Sequence, residues 1–456
     1  MNKTPIRIGI VGLGGYAGSH HDCLFALEAQ HEARLVCTCD PQMQAFAVQM
    51  EARRFAKRGV KVFANYRAML EACGRELDLL VVPTPIPLHA EMHRAGVERG
   101  IPVYLEKPPT LDHRELERMI AVDRAARKST LVGFNFIIER ARLALKRRIL
   151  SGEFGALREA RLLARWPRPC SYFARNNWAG RLLGADGGVI LDSCFGNAMA
   201  HFVHNLLFWA GPRELMSWGR PATTRAELYR AHAIEGTDTV FAESLTVDGV
   251  TLRFALTHAC DDARVHAETL VCDHAVIRYV VDDRAEVRWN DGRVEPIALD
   301  PFNALVENHL DYYRYLRGET TRPATTLVDS RPFVELNNLI YVSSAEITSF
   351  RADLVSPILN PKDAQTYLSV DGLPAALDGF LASGRWPGTT LGRSRRTPAT
   401  PVTSADLARF MPALETLAAT QPRSPHPDAH NDRTRPSLRP PHRRLVTCAP
   451  TPRPLA

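Results

Sequence analysis

Ile6-Arg7-Ile8-Gly9-Ile10-Val11-Gly12-Leu13-Gly14-Gly15-Tyr16-Ala17-Gly18 decides how the rest of the chain is read. A short run of β-branched residues leads straight into a glycine cluster. A stretch of helical character follows, then a second apolar run, Ala33 to Cys39, ending in Asp40. Strand, glycine turn, helix, strand and acid is the order of a dinucleotide-binding unit. Gly12-x-Gly14-x-x-Ala17 has the spacing of its fingerprint, with alanine in third place. Gly12 allows the tight turn, Gly14 lets the backbone approach a pyrophosphate, and Ala17 is small enough for the helix to lie on the strand. Gly15 and Tyr16 open the helix, whose free N–H groups and dipole suit an anion. Asp40 lies about 20 residues beyond the turn, where an acid would hold a ribose hydroxyl. A ligand-free glycine turn is the alternative; the flanking strands and the acid favour a nucleotide.

Outward from this unit, strands and helices alternate. Lys61 to Phe63 reads as a strand and Tyr66 to Cys73 as a helix. Leu77 to Val82 is an apolar strand closed by Pro83-Thr84-Pro85, and His89 to Arg99 a helix stopped at Gly100. Ile101 to Leu105 is a strand ended by Glu106-Lys107-Pro108-Pro109, Leu111 to Arg127 a helix, and Leu131 to Phe134 one more strand. This is the α/β pattern of a doubly wound parallel sheet, a Rossmann domain over 1–135. Ligands of such sheets sit beyond the carboxyl ends of the strands. Gly12, Thr84 and Lys107 all fall at such ends and are expected to share one crevice.

The pattern changes near Glu139. Alternating segments at Leu157–Arg165, Thr237–Val247, Val250–His258, His266–Cys272 and Ala275–Val281 predict strands, and Asn290-Asp291-Gly292 has hairpin-turn chemistry. Apolar helices are expected between about Asn197 and Trp209, at Phe302–Leu316 and at Leu327–Ala345. Residues 136–350 therefore read as an α+β domain with a mostly antiparallel sheet. A helical extension is expected over 351–420. From Gln421 onward, nine Pro and seven Arg in 36 residues cannot build a core, so a disordered tail is expected.

Composition narrows the functional classes. Of the formal net charge of +7, that terminal stretch carries +5, so residues 1–420 are nearly neutral and imply no nucleic-acid partner. The nine cysteines are scattered without a C-x-x-C pair, so reduced thiols, no metal site and a cytoplasmic setting are expected. Cys37 and Cys39 read as small core residues. Met1 to Pro5 leads directly into the first strand, so no signal peptide is expected. No apolar run approaches the roughly 20 residues a membrane span needs.

Four stretches together resemble the Gfo/Idh/MocA oxidoreductases: Gly12 to Ala17, Thr84-Pro85 with His89, Glu106-Lys107-Pro108, and Gly187-Gly188-Val189-Ile190-Leu191-Asp192. Their spacing agrees with the family over about residues 5–350. The resemblance implies a Rossmann domain followed by an open-faced, mostly antiparallel sheet domain, and assembly into a homo-oligomer through that open face. It implies NAD or NADP, and hydride transfer at a sugar or cyclitol carbon. Carried over by position, Lys107 would contact the reacting hydroxyl. There an ammonium stabilises alkoxide character and shares in proton transfer. Glu106, Thr84, Pro85 and Asn135 would lie on the nicotinamide side. His89, at a helix start, either joins them or caps and packs. Asp40 followed by Pro41 favours NAD over NADP, whose 2′-phosphate needs a nearby cation; Arg53 and Arg54 are the residues that could fold back to supply one.

The chain departs from the family at two places: Ile137 stands four residues after Gly133, where many relatives have Arg, and the second departure follows Asp192. A histidine usually follows the aspartate equivalent to Asp192 by four residues and acts as general base; here that position is Gly196. On a regular helix His201 lies five residues past Gly196, about 140° round, and cannot simply replace it. Asn197 and His201 share a face and, with Asp192, could form another polar cluster; satisfied core histidines at His201 and His204 are the alternative. Upstream, Tyr172 to Arg181 is placed to cover a small-molecule substrate, with Trp178, Arg175 and Arg181 of the types that bind sugars. The first reading is a dehydrogenase or reductase using Lys107, Asp192 and His201. The missing histidine also allows a non-catalytic regulatory protein, and the fold allows a glycosidase that uses bound NAD.

Overall fold

Strand β1 (Ile6–Val11) sits at the middle of a six-stranded parallel sheet, between β2 (Ala33–Cys39) and β4 (Leu79–Val82). The structure, a computed structural model, describes residues 4–261, 264–388, 391, 395 and 397–420; the Pro/Arg-rich stretch from Gln421 lies outside them. With β3 (Lys61–Phe63), β5 (Val103–Leu105) and β6 (Leu131–Val132) the order is β3-β2-β1-β4-β5-β6. The direction of winding reverses between β1 and β4, which opens a crevice at their carboxyl ends. β4 is buried on both faces, as expected of an all-apolar central strand. Helix Ala304–Leu316, far along the chain, completes this domain. Its Tyr312 and Tyr313 share a core with Ile8, Ile10 and Leu24, and the Tyr312 hydroxyl donates to the Val103 carbonyl at 3.0 Å.

The second sheet is mixed and mostly antiparallel. It comprises β7 (Leu157–Arg165), β8 (Pro221–Arg230), β9 (Thr239–Thr246), β10 (Thr251–Thr257), β11 (Val265–Cys272), β12 (Ala275–Val280), β13 (Arg284–Trp289), β14 (Val294–Ile297) and β15 (Ile347–Ser349). Only β7 with β10 and β8 with β15 pair in parallel among these strands. Period-two alternation in β7 sends Ala160, Leu162 and Ala164 inward, under helices Ala200–Trp209 and Arg331–Ser344. The expected turn at Asn290-Asp291-Gly292 joins β13 to β14, with Gly292 at a φ of 93°.

Residues 351–420, read from sequence as helical, also hold a hairpin of β16 (Val355–Asn360) and β17 (Gln365–Val370). A further strand, β18 (Val402–Thr403), pairs with β8. Helix Leu373–Ser383 lies on the outer face of the sheet, where Leu377 and Phe380 bury Tyr229, Phe241 and Ala255. Beside it that face carries a charged row: Arg253 donates to Glu243 at 2.7 Å and also pairs with Glu159. The face expected to be open for a second copy is thus partly covered by the chain itself. Among the described residues no helix is long and apolar enough to cross a membrane.

Candidate active site

The glycine turn has the geometry its sequence demands. Gly12 sits at a φ of 114°, and a Cβ there would come 3.2 Å from that of Ala17. Its carbonyl accepts from Thr38 Oγ1 at 3.2 Å and faces His21 Nε2 at 3.0 Å; burial lowers the His21 pKa to about 4, leaving a neutral ring. Gly15, at a φ of 56°, precedes helix Tyr16–Ala29, whose start no side chain caps. A Cβ on Gly15 would meet nothing within 4 Å, so the turn faces open space. Asp40 is fixed at the turn by accepting from Leu13 N at 3.1 Å and Gln42 N at 2.9 Å. Arg53 does not fold back: it pairs with Asp22 at 2.9 Å, and neither it nor Arg54 lines the crevice.

That crevice is one cleft of about 850 Å³ reaching from the glycine turn to the second sheet. Gly12, Gly14, Gly15, Tyr16, Ala17 and Asp40 line one part of it, and Thr84, Pro85, Glu106, Lys107 and Asn135 the middle. Trp178, Asn197 and His201 reach it from the second domain. The expected crevice is therefore assembled from both domains. A glycine turn open to the cleft, an uncapped helix start and a fixed acid fit a dinucleotide.

Other expected site residues stand behind the wall. His89 is buried, with Nδ1 3.0 Å from the Pro108 carbonyl and Nε2 2.8 Å from that of Thr84, so it clamps two loops instead of facing a cofactor. Burial draws its pKa down against those carbonyls. Asp192, expected against substrate, is buried and turned away: one oxygen accepts from Gly180 N at 2.8 Å, the other from Asn197 Nδ2 at 2.7 Å. Arg175 stacks on Tyr172 at 3.6 Å with its guanidinium 3.6 Å from Asp192. Arg181 does not line the cleft, and its carbonyl accepts from Asp192 N at 3.1 Å.

The missing histidine has a backbone explanation. Cys194–Ala198 forms a π turn, with Ala198 N donating to the Ser193 carbonyl at 3.4 Å and Met199 N to that of Cys194 at 3.0 Å. One extra residue per turn changes which side chain comes round to Asp192. Gly196 points into the core, where a Cβ would meet Asn337 Oδ1 at 3.0 Å and the Leu191 carbonyl at 3.1 Å. Asn197 takes the cleft wall, and its carbonyl accepts from Lys107 Nζ at 3.0 Å. The rotation expected from a regular helix fails for the same reason, and His201 also reaches the cleft. It lies edge-on to Phe134 and Phe136 at 6.1 and 5.3 Å. Burial and the nearby Lys107 charge push its pKa well below 6.5, so the ring is neutral. His204 is a core residue, stacked on Phe134 at 3.8 Å.

Sequence reasoning missed two groups. Behind Glu106 runs a buried chain: Glu106 Oε1 to His20 Nε2 at 3.1 Å, His20 Nδ1 to His309 Nε2 at 3.0 Å, and His309 Nδ1 to the Tyr313 hydroxyl at 3.2 Å. One proton per contact satisfies every member of it. Beyond Lys107, beside Tyr172 of the expected stretch, lie Trp166, Arg168 and Arg264. Trp166-Pro167-Arg168-Pro169, just past a strand, was the available signal for two of them.

With this geometry in hand, comparison with known proteins is decisive for the first domain. Residues 6–136 match the model of the GFO_IDH_MocA oxidoreductase family, NAD-binding Rossmann fold. Over its nucleotide-binding domain the chain is thus similar to the Gfo/Idh/MocA oxidoreductases. The chain is 31% identical over 156 residues to inositol 2-dehydrogenase 4 of Saccharopolyspora erythraea, covering 34% of this chain and 44% of that one. It is 26% identical over 276 residues to inositol 2-dehydrogenase of Rhizobium meliloti, covering 54% and 80%. The match to the first of these relatives thus spans less than half its length. In fold, the chain resembles the WlbA dehydrogenase of Bordetella pertussis, solved with NADH and UDP-GlcNAcA: the TM-score is 0.59 at 22% identity, over 75% of this chain and 96% of that one.

Proposed function

We propose that this chain is an NAD-dependent dehydrogenase or reductase acting on a CH–OH group of a sugar, cyclitol or related hydroxy compound. The observation that carries this reading is the shared cleft: Lys107 opens into the same space as the glycine turn and Asp40. Asp40 stands where a 2′-phosphate would be repelled, and neither Arg53 nor Arg54 lines the cleft, which favours NAD over NADP. Residues 1–135 with helix Ala304–Leu316 hold the cofactor, and the second sheet domain supplies the substrate wall. No membrane segment is required by this reading, and we place the enzyme in the cytoplasm.

Bound NAD supplies the hydride acceptor, and its reduced form the donor. The protein handles the proton. Burial and the Arg168 charge draw the Lys107 pKa below 10.5, which favours its amine form over that of a solvated lysine. That amine takes the proton of the substrate hydroxyl during oxidation, and the ammonium returns it during reduction. The Asn197 carbonyl holds Nζ at 3.0 Å, and Asp192 holds the Asn197 amide, so the lysine is aimed before substrate arrives. Asn197 cannot act as a base, since an amide has no proton-accepting nitrogen. His201 is the neutral ring available to share the proton. A panel of sugars, polyols and their oxidised forms with NAD or NADH, read by absorbance, tests the proposal. Cofactor binding without turnover on any of them would favour a regulatory protein.

A further inference from the structure

Asn135 lines the cleft with Glu106 and Lys107, and its amide is held from behind by two residues that do not line it, Tyr104 and Asn308. Tyr104 Oη donates to Asn135 Oδ1 at 3.0 Å. Asn308 Nδ2 donates to the same oxygen at 2.7 Å and to Tyr104 Oη at 2.9 Å, which closes a ring of three side chains. Burial, reinforced by Glu106, holds the Tyr104 pKa well above 10, so the phenol keeps the proton it donates. Tyr104 comes from β5, Asn135 from just past β6, and Asn308 from helix Ala304–Leu316, which returns from far along the chain.

The ring sets which end of the Asn135 amide meets the cleft. With Oδ1 committed to two donors, Nδ2 is the end left on the cleft side, and it bonds to none of the described residues. Glu106, the acid of this part of the cleft, spends its oxygens on His20 Nε2 and Lys107 N, both at 3.1 Å. Turning both amides round would keep the ring but strand the NH2 group of Asn308 in the core. As arranged, the atom without a partner is Asn308 Oδ1, and a buried carbonyl is left unpaired at less cost than a buried N–H. Asn135 therefore offers the cleft N–H donors and no acceptor.

We propose that Tyr104 and Asn308 are positioning residues for the cofactor: they hold the Asn135 amide so that it donates to the carboxamide oxygen of the nicotinamide. This rests on the NAD-dependent reading and deepens it. A carboxamide carries one acceptor oxygen and one NH2 group, so a fixed donor takes it one way round only. Lys107, turned toward Asn197 of the second domain, serves the reacting oxygen, which leaves the first-domain amide for the cofactor. Holding the carboxamide to one side of the ring also selects which face of the nicotinamide meets the substrate.

The test uses the full chain with NAD and its 3-acetylpyridine analogue, which keeps the carbonyl oxygen but has a methyl group in place of NH2. Calorimetry reads both affinities, and melting curves read the fold. The parent is expected to bind the two within about threefold of each other, since its donor needs only the oxygen. In Asn308→Asp the new carboxylate accepts from Tyr104 and from the Asn135 amide, which turns the Asn135 carbonyl into the cleft. NAD answers with its own NH2 group; the analogue has none, so its affinity is expected to fall about tenfold relative to that of NAD. Asn135→Asp should do the same, and Tyr104→Phe, which only loosens the amide, should shift the ratio in the same direction by less. A merely structural role would lower the melting temperature and weaken both dinucleotides alike. A folded Asn308→Asp with the parent's ratio would overturn the inference and leave the dinucleotide reading intact; if that variant does not fold, the parent's ratio in Tyr104→Phe overturns it. A shifted ratio with no NADH formed from any substrate would support the inference and sink the dehydrogenase reading. A parent that binds neither dinucleotide would sink both.

Discussion

Lys107 Nζ donates to the main-chain carbonyl of Asn197 at 3.0 Å, which ties the strand end of the nucleotide-binding domain to the π turn of the second domain. The lysine of the proposed mechanism is therefore placed by a backbone atom, one that side-chain substitution cannot remove. Lys107→Met should retain NAD, because the cofactor is held at the glycine turn. It should lose turnover by a factor on the order of 10² or more, the scale for a positioned acid/base or oxyanion donor. Calorimetry with NAD and steady-state rates separate the two effects, and unchanged turnover would remove the main support for the mechanism.

The pH profile carries a sign. The Lys107 pKa is lowered from 10.5, chiefly by burial. Oxidation needs the amine, so its kcat should rise with pH through that lowered value. Reduction needs the ammonium and should fall through the same value. His201 is lowered well below 6.5, so it stays neutral across this range and should add no limb near pH 6.5. A limb there that disappears in His201→Ala, with stability unchanged, would make the imidazole the base instead.

In the proposed function Asp40 is the residue that sets cofactor choice. It is held by Leu13 N and Gln42 N, and Arg53 is committed to Asp22. NAD should bind at least tenfold more tightly than NADP, and Asp40→Ala should narrow the gap by weakening NAD and relieving repulsion of the 2′-phosphate. Titration of both cofactors against both proteins decides it; equal affinities in the parent would end the assignment.

The cofactor half was legible because its chemistry is written in contiguous residues. Gly12 to Ala17, Asp40 and Glu106-Lys107 each sit at a strand end, and strand ends can be read from apolar runs. Strand β8 was missed because its buried polar groups hide the period: Thr224 bonds Ser244 at 3.1 Å, Glu227 accepts from Tyr229 at 2.6 Å, and Arg230 donates to the Ile234 carbonyl at 2.8 Å. The π turn is set by tertiary fit at Gly196, which no local pattern encodes, so the angular argument about His201 started from the wrong helix. His20 and His309 lie 289 residues apart and meet only because helix Ala304–Leu316 returns to the first domain.

The last prediction concerns the outer face of the second sheet. Leu377 is 1% exposed and lies with Phe380 on Tyr229 and Phe241, which strands β8 and β9 present outward. Leu377→Asp places a carboxylate in that apolar contact without touching the cleft. Loss of the buried side chain together with an unpaired charge should cost about 3 kcal/mol or more and detach the helix. A chain whose helix has lifted exposes Tyr229, Phe241 and Phe350, so self-association should rise with concentration while NAD affinity at low concentration stays near the parent value. Melting curves, light scattering and cofactor titration read the three outcomes. If Leu377→Asp melts with the parent and shows the same mass at all concentrations, helix Leu373–Ser383 is not what keeps this face from a second copy.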